Sequence, residues 1–411
     1  MTTSTQSMTV ADAIEQITAG VRPTDAGRGT VGLEIEWIVI DPVHPTRPVG
    51  AEEVLAAADG PLPREGALTV EPGGQLELST TRQPEAWSAL DAAAADEAVL
   101  QRRMTRAGLR LLATGLDPFR PPVRSLDLPR YRAMAAAFEG RWPAGTVMMC
   151  STASLQVNVD FGAVPADTWQ RAAWVAPVLA AAFANSPGPA MDGTPAASAR
   201  STVWTMIDPS RTAPVSGPTS TSTANGAALG WEHEWAEYAL EANVVFIRTG
   251  DDVEAVTEPF TLRQWITQGH RIGFPGPSDV TEHLTTLWPP VRPRQWLECR
   301  FFDALPPVDR TVAVLALVAL VSDGAPIDEI RRACSGIDDP WSLVASGTAS
   351  APMARAGERC LDLACHLLDA ERPGSSIPVR SWTSRRASAG WVPDTTAPDL
   401  QSLDRIEQEI T

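Results

Sequence analysis

Alternation is the clearest signal along this chain. In a β-strand, residues two apart share a face. Across Val31–Ile40, Leu33, Ile35 and Trp37 point one way, while Glu34 and Glu36 point the other. In Gln75–Ser79, Leu76 and Leu78 oppose Gln75, Glu77 and Ser79. In Ser154–Asp160, Leu155, Val157 and Val159 oppose Gln156, Asn158 and Asp160. In Trp296–Phe301, Leu297, Cys299 and Phe301 oppose Glu298 and Arg300. The pattern predicts strands over 30–41, two short strands within 67–80 joined at Pro72-Gly73-Gly74, and further strands over 110–115, 146–160 and 296–302. Helices are predicted over 84–108, opened by Pro84, over 130–139 and over 167–185, and from Pro306 to about Leu368. Short elements fall at 235–239, 242–249 and 262–268, and a brief amphipathic stretch at Val10–Ile17. Residues 186–230 are rich in Pro, Gly, Ser, Thr and Ala and read as the longest irregular segment, the kind of loop that is either functional or disordered. With no internal repeat and no clean linker, the expectation is one large α+β domain with a helical C-terminal part.

A polar strand face is ordinarily a solvent face. This one has an unusual composition: Glu34, Glu36, Glu77, Glu298, Gln156 and Asn158, with Arg300 the one basic member and Glu71 flanking the Gly-Gly turn. Like charges on neighbouring strands repel. If these strands lie side by side, the carboxylates need a cation, and oxygen donors of this kind suit Mg²⁺ or Mn²⁺ rather than Zn²⁺. The pattern therefore points to a metal-lined trough for a phosphorylated ligand. There is no Walker A motif, no GxGxxG after a strand, and no HExxH or GxSxG.

Composition narrows the partners. The chain of 411 residues carries 33 basic and 50 acidic side chains, a formal charge of −17, and every basic residue is arginine. Such a chain is a poor binder of nucleic acid or anionic membrane. Any phosphate or carboxylate clamp must come from Arg, backbone N–H groups or metal. Five scattered cysteines suggest reduced thiols, not a disulfide framework. Cys360, Cys365 and His366 share a predicted helix but lack the remaining ligands of a zinc site. Met1–Val10 shows no signal-peptide pattern, and the longest apolar run, Val312–Val321, is too short to span a bilayer. A cytoplasmic protein is expected.

The segments VGLEIEW at 31–37, EPGGQLELS at 71–79, GLDPF at 115–119, CSTASLQVNVDF at 150–161, FANSP at 183–187, SARSTVW at 198–204, YALEANVVF at 238–246 and HLTTLWPPVRPRQWLECR at 283–300 resemble, in that order, the glutamate–cysteine ligase family of plants and many bacteria. The resemblance implies a curved, mostly antiparallel sheet flanked by helices, related to the catalytic domain of glutamine synthetase. It implies a catalytic domain over 29–322, after an N-terminal segment 1–28, with a helical part 323–411 packed on it. The implied reaction is ATP-dependent ligation of the glutamate γ-carboxylate to the cysteine amine. An acyl phosphate is the intermediate, and the product is expected to supply ergothioneine synthesis.

By the same resemblance, Glu34, Glu36, Glu71, Glu77 and Glu298 hold two or three Mg²⁺ ions around the ATP phosphates, with Mn²⁺ as an alternative. Glu36, Glu77 and Arg300 act at the transferring phosphoryl group, with Gln156, Asn158 and Arg300 on the nucleotide side. Arg200 with Trp204, and less directly Arg211, match the glutamate-carboxylate clamp; Tyr131, Met134 and Tyr238 match pocket positions. No plant-like regulatory cysteine pair is visible, and a monomer is favoured. The alternatives are a related ligase with another amine acceptor, a non-catalytic Mg-nucleotide-binding protein, and a metallohydrolase, which the absence of strand histidines disfavours.

Overall fold

The computed structural model describes residues 8–23, 30–215, 223–224, 227–228, 230–250 and 252–388. Its centre is a seven-stranded sheet. The strands are β1 (Val31–Ile40), β2 (Ala67–Val70), β3 (Leu76–Ser79), β4 (Arg110–Leu112), β5 (Ser154–Val159), β6 (Val291–Pro293) and β7 (Leu297–Asp303). They run in the order β6-β7-β5-β1-β3-β2, and β4 pairs with the far end of β1. Every pairing is antiparallel. The register puts Glu36 opposite Glu77, Glu34 opposite Gln156 and Ser79, and Glu298 opposite Asn158. The four alternating segments are thus neighbours, and their polar positions share one face.

The other face is the core. Leu33, Ile35, Leu76, Leu78, Leu155, Val157, Leu297 and Cys299 are all buried there. Alternation over Val31–Trp37, followed by the apolar run Ile38–Ile40, with β-branched and aromatic residues throughout makes β1 a strand, and burying its apolar positions fixes its register. Three helices cover this side: α1 (Ala86–Arg106) against β1, α2 (Pro165–Ala182) against β7, and α3 (Pro307–Val321) against β5. The helix of residues 307–321 is buried nearly all round, because α1, α2 and the C-terminal helices Ala351–Glu371 and Ile377–Ser388 all pack on it. Among the described residues, no helix is long and apolar enough to cross a membrane.

Two expectations change. Residues 146–160 are not one strand region. Ala144–Ser151 is a helix, and β5 begins only at Ser154. Its apolar run Val147–Cys150 has no period-2 alternation, and Met148, Met149 and Cys150 pack into a satellite core with Met134 and Phe138. Nor is 186–230 irregular where it is described. Gly188–Pro189 pairs with Pro195–Ala196, and Ala199–Thr205 is a helix capped by Ser198, whose Oγ accepts the Ser201 N–H. Parts of that segment, 216–222, 225–226 and 229, lie outside the described residues.

Candidate active site

The polar face of the sheet is the floor of a trough of about 290 Å³, roofed by the helices Pro129–Glu139, Ala144–Ser151 and Ala199–Thr205. Glu36 is its most enclosed acid, 9% exposed. Its Oε2 accepts the Ser154 N–H at 2.9 Å, and its Oε1 accepts the Ser154 hydroxyl at 2.8 Å and the Gln156 amide at 3.1 Å. Glu34 accepts the Asn158 amide at 2.8 Å. Glu77 accepts the Thr69 hydroxyl at 2.7 Å.

Glu71 is set by the turn that follows it. The Gly73 N–H donates to Gln75 Oε1 at 3.0 Å, and the Gln75 amide donates to Thr152 O at 2.8 Å. Gly73 lies so close to Cys150 that a Cβ would fall 2.1 Å from its carbonyl oxygen, and Gly74 has φ +93°. The Gly-Gly pair is therefore a steric requirement.

The electrostatics of this floor are unbalanced. Burial pushes the pKa of Glu34 up, as it does that of Glu36. Burial first, and then the charge of Glu36, raise Glu77. Burial, with the charges of Glu36 and Glu77, lifts Glu71 to about 8. Hydrogen-bond donors from Ser154, Gln156, Asn158 and Thr69 do not offset crowding of four carboxylates in a half-closed space. Oxygen-only donors with uncompensated negative charge fit a hard divalent cation. Among the described residues, no three His, Cys, Asp or Glu side chains are grouped closely enough to hold a metal ion as they stand.

Glu298 has a different environment. It contacts the guanidiniums of Arg292 and Arg294 at 2.5 Å and Arg300 at 3.6 Å. Burial alone would raise its pKa; Arg292, Arg300 and Arg294 outweigh burial and hold it below the usual value. It therefore joins an arginine cluster at the edge of the trough, whereas Glu34, Glu36, Glu71 and Glu77 line the trough itself. Arg300 links the two, donating to Gln156 Oε1. Asn158 lies behind Glu34, off the lining, with its own Oδ1 unpartnered.

Arg200 enters from the helix Ala199–Thr205. Its backbone N–H donates to Ser186 Oγ at 3.1 Å, and its Nη2 donates to Arg300 O at 3.2 Å. Its Nη1 stands 3.7 Å from Asp303, which also accepts the Asn185 N–H and the Ser186 hydroxyl, both at 2.8 Å. The Arg200 Nε and the Trp204 indole N–H are buried without acceptors. Two unpaired donors on one wall are what an incoming carboxylate would satisfy. A second cavity of about 240 Å³ opens beyond them, walled by Trp204, Trp288, Phe301 and Trp341.

Tyr131 and Met134 line the trough, but besides Glu298 and Asn158 two further expected residues do not. Arg211 is fully buried, donates to Asp208, to the carbonyl and hydroxyl of Thr286 and to the Asn243 carbonyl, and does not reach the trough lining. Tyr238 stacks on Trp235 at 5.5 Å and donates its hydroxyl to Ala213 O at 3.2 Å. Both belong to the packing behind the site. The sequence reading also missed residues. Ser154 has the same strand parity as Gln156 and was findable. Asp303 was not, because a bulge between Cys299 and Phe302 breaks the alternation of β7. Arg130, Met148 and Met149 sit on helices whose inward face no strand pattern could indicate.

The fold is shared with a solved ligase. It matches the glutamate–cysteine ligase of Francisella tularensis, solved in complex with AMP, with a TM-score of 0.55 over 90% of this chain and 84% of that one, at 12% identity. At that identity the likeness carries the fold alone. The sequence carries more: the chain belongs to glutamate–cysteine ligase family 2 (GCS2), whose profile matches residues 30–348. It is 36% identical to the glutamate–cysteine ligase EgtA of Mycobacterium tuberculosis over 369 residues, covering 85% of this chain and 82% of that protein. Against EgtA of Mycolicibacterium smegmatis the identity is 36% over 377 residues, 89% and 86% of the two chains. The chloroplastic glutamate–cysteine ligase of Arabidopsis thaliana is 28% identical over 334 residues, 74% and 61% of the two chains.

Proposed function

We propose that this enzyme joins the γ-carboxylate of glutamate to the amine of cysteine, consuming ATP, and that its product supplies ergothioneine synthesis in the cytoplasm. The observation that carries the reading is that Glu34, Glu36, Glu71 and Glu77 line one trough together with Arg200 and Arg300, in a chain of this family. A divalent cation, Mg²⁺ or Mn²⁺, held by the four trough carboxylates would offset the charge of the nucleotide phosphates.

The chain's own residues then divide the remaining work. In this reading, the Arg200 Nε and the Trp204 indole N–H hold the α-carboxylate of glutamate, leaving its γ-carboxylate toward the floor. Arg300, braced on Gln156 and Glu298, faces the phosphoryl oxygens. The γ-carboxylate oxygen attacks the terminal phosphorus and ADP leaves. The cysteine nitrogen then attacks the acyl carbon, phosphate leaves, and the amine gives up a proton. Such a reaction needs alignment and charge stabilisation more than side-chain covalency. The roofing helices shield one side of the acyl phosphate from water.

Release of ADP with glutamate, cysteine and Mg²⁺, each omitted in turn, tests the reading. Turnover should require all three. ADP release with glutamate and another amine, but not cysteine, would reassign the acceptor. Mg-ATP binding with no glutamate-stimulated turnover would end the ligase reading.

A further inference from the structure

Besides the γ-carboxylate that reacts, the substrates bring three anionic groups: the triphosphate, the α-carboxylate of glutamate and the α-carboxylate of cysteine. In a chain without lysine, each needs an arginine, a backbone donor or a metal. Three arginines line the trough: Arg130, Arg200 and Arg300. Arg200 and Arg300 are joined to each other on one wall, and each already faces a carboxylate, Asp303 at 3.7 Å and Glu298 at 3.6 Å.

Arg130 stands on the other wall, in the first turn of the helix Pro129–Glu139. Among the described residues it has no ion pair. Its Nη2 donates to Thr285 O at 3.5 Å, a long bond, and its guanidinium carbon lies 5.9 Å from the Phe246 ring centroid. Its Nε is buried and has no acceptor. A guanidinium that lines an acidic trough, held by one long bond and paired with no carboxylate among the described residues, has donors to spare for an anion that a ligand supplies. On the same side the trough is walled by Met134, Met148 and Met149, soft thioethers that offer no hydrogen-bond donor. A short thiol side chain suits that wall.

We infer that Arg130 binds the α-carboxylate of the amine-donating amino acid, with the three methionines against its thiol, so that the enzyme selects cysteine over simple aminothiols. The inference rests on the ligase reading above. Cysteamine, which keeps the amine and thiol of cysteine but lacks the carboxylate, is the probe. At saturating glutamate and ATP, kcat/KM for each amine is measured from ADP release with the full chain, Arg130→Met and Arg130→Lys.

With Arg130→Met, kcat/KM for cysteine should fall about 10- to 100-fold, the range for one charge-assisted bond, while that for cysteamine stays within about two-fold. The preference for cysteine then collapses, and Arg130→Lys restores part of it. The KM values for glutamate and ATP should not move. If Arg130 served only to temper the charge of Glu71, both amines would slow together and the ratio would hold; that result overturns the inference and leaves the ligase reading standing. An unmutated enzyme indifferent to the carboxylate overturns it too. An unmutated enzyme with no glutamate-dependent ADP release overturns the ligase reading, and the inference with it.

Discussion

Crowded carboxylates without a cation should make the protein less stable as pH rises, the reverse of what paired acids do. Glu71 moves from 4.5 to about 8 on folding. A group raised in this way contributes stability that is fully present below its unfolded pKa and is lost as pH rises through the folded one. Between those limits the unfolded state has released a proton that the folded state keeps, so stability falls by about 1.4 kcal/mol per pH unit. Other groups must be kept out of the window. His283, held by burial at about 3, works in the opposite direction until pH passes its ordinary value of 6.5. Glu298 and Asp369, both lowered, finish titrating in acid. The buried thiols begin above the ordinary value of 9.0. That leaves pH 6.5 to 8 as the interval that reports the trough, worth up to about 2 kcal/mol and a Tm fall of up to about 2 °C in a chain of this length. Intrinsic fluorescence from the 14 tryptophans follows the transition. In EDTA, Tm should fall across this interval. Glu71→Gln should flatten the slope, and Mg²⁺ should raise Tm more at pH 8 than at pH 6.5, because cation and proton compete for the same oxygens. A Tm that is flat or rises in EDTA, or a slope that Glu71→Gln leaves unchanged, would refute the account of the trough.

Three further outcomes are expected. Glu36→Ala and Glu77→Ala should abolish ATP turnover with little change in Tm, checked by ADP release and thermal melting; near-normal turnover in either would remove the metal-trough argument. Arg200→Ala should raise the KM for glutamate about 10- to 100-fold with the ATP KM unchanged, since it removes a charge-assisted bond to one substrate; an unmoved glutamate KM sinks that assignment. Gly73→Ala should destabilise the fold by about 2–4 kcal/mol, because its Cβ would lie 2.1 Å from the Cys150 carbonyl oxygen and backbone must shift to admit it; an unchanged melting curve would show that the turn is not pinned there.

What was legible in the sequence follows from range. Strand parity is a local property, so Glu34, Glu36, Glu77 and Gln156 could be assigned to one face from their spacing, and antiparallel pairing then made them neighbours. The same logic fails wherever local period and spatial neighbour part company. The bulge in β7 moves Asp303 out of phase with Glu298 and Arg300, yet Asp303 anchors Arg200. The family resemblance puts Arg211 and Tyr238 among the ligand-binding residues. Their partners Asn243, Thr286 and Ala213 are brought up by folding, and those partners consume the donors. Glu298 has the parity of a floor residue, but Arg292, six positions before it and directly opposite in the β6–β7 pair, claims its carboxylate. Arg130 is the converse case. Nothing in PRYRAM marks which helical face turns inward, and only the assembled trough shows a guanidinium there with an unmet donor. Residue type thus states what a side chain is able to bind. Whether it is free to bind a ligand depends on the acceptors that the rest of the fold delivers to it, and in this trough that distinction separates Arg130 and Arg200 from Arg211.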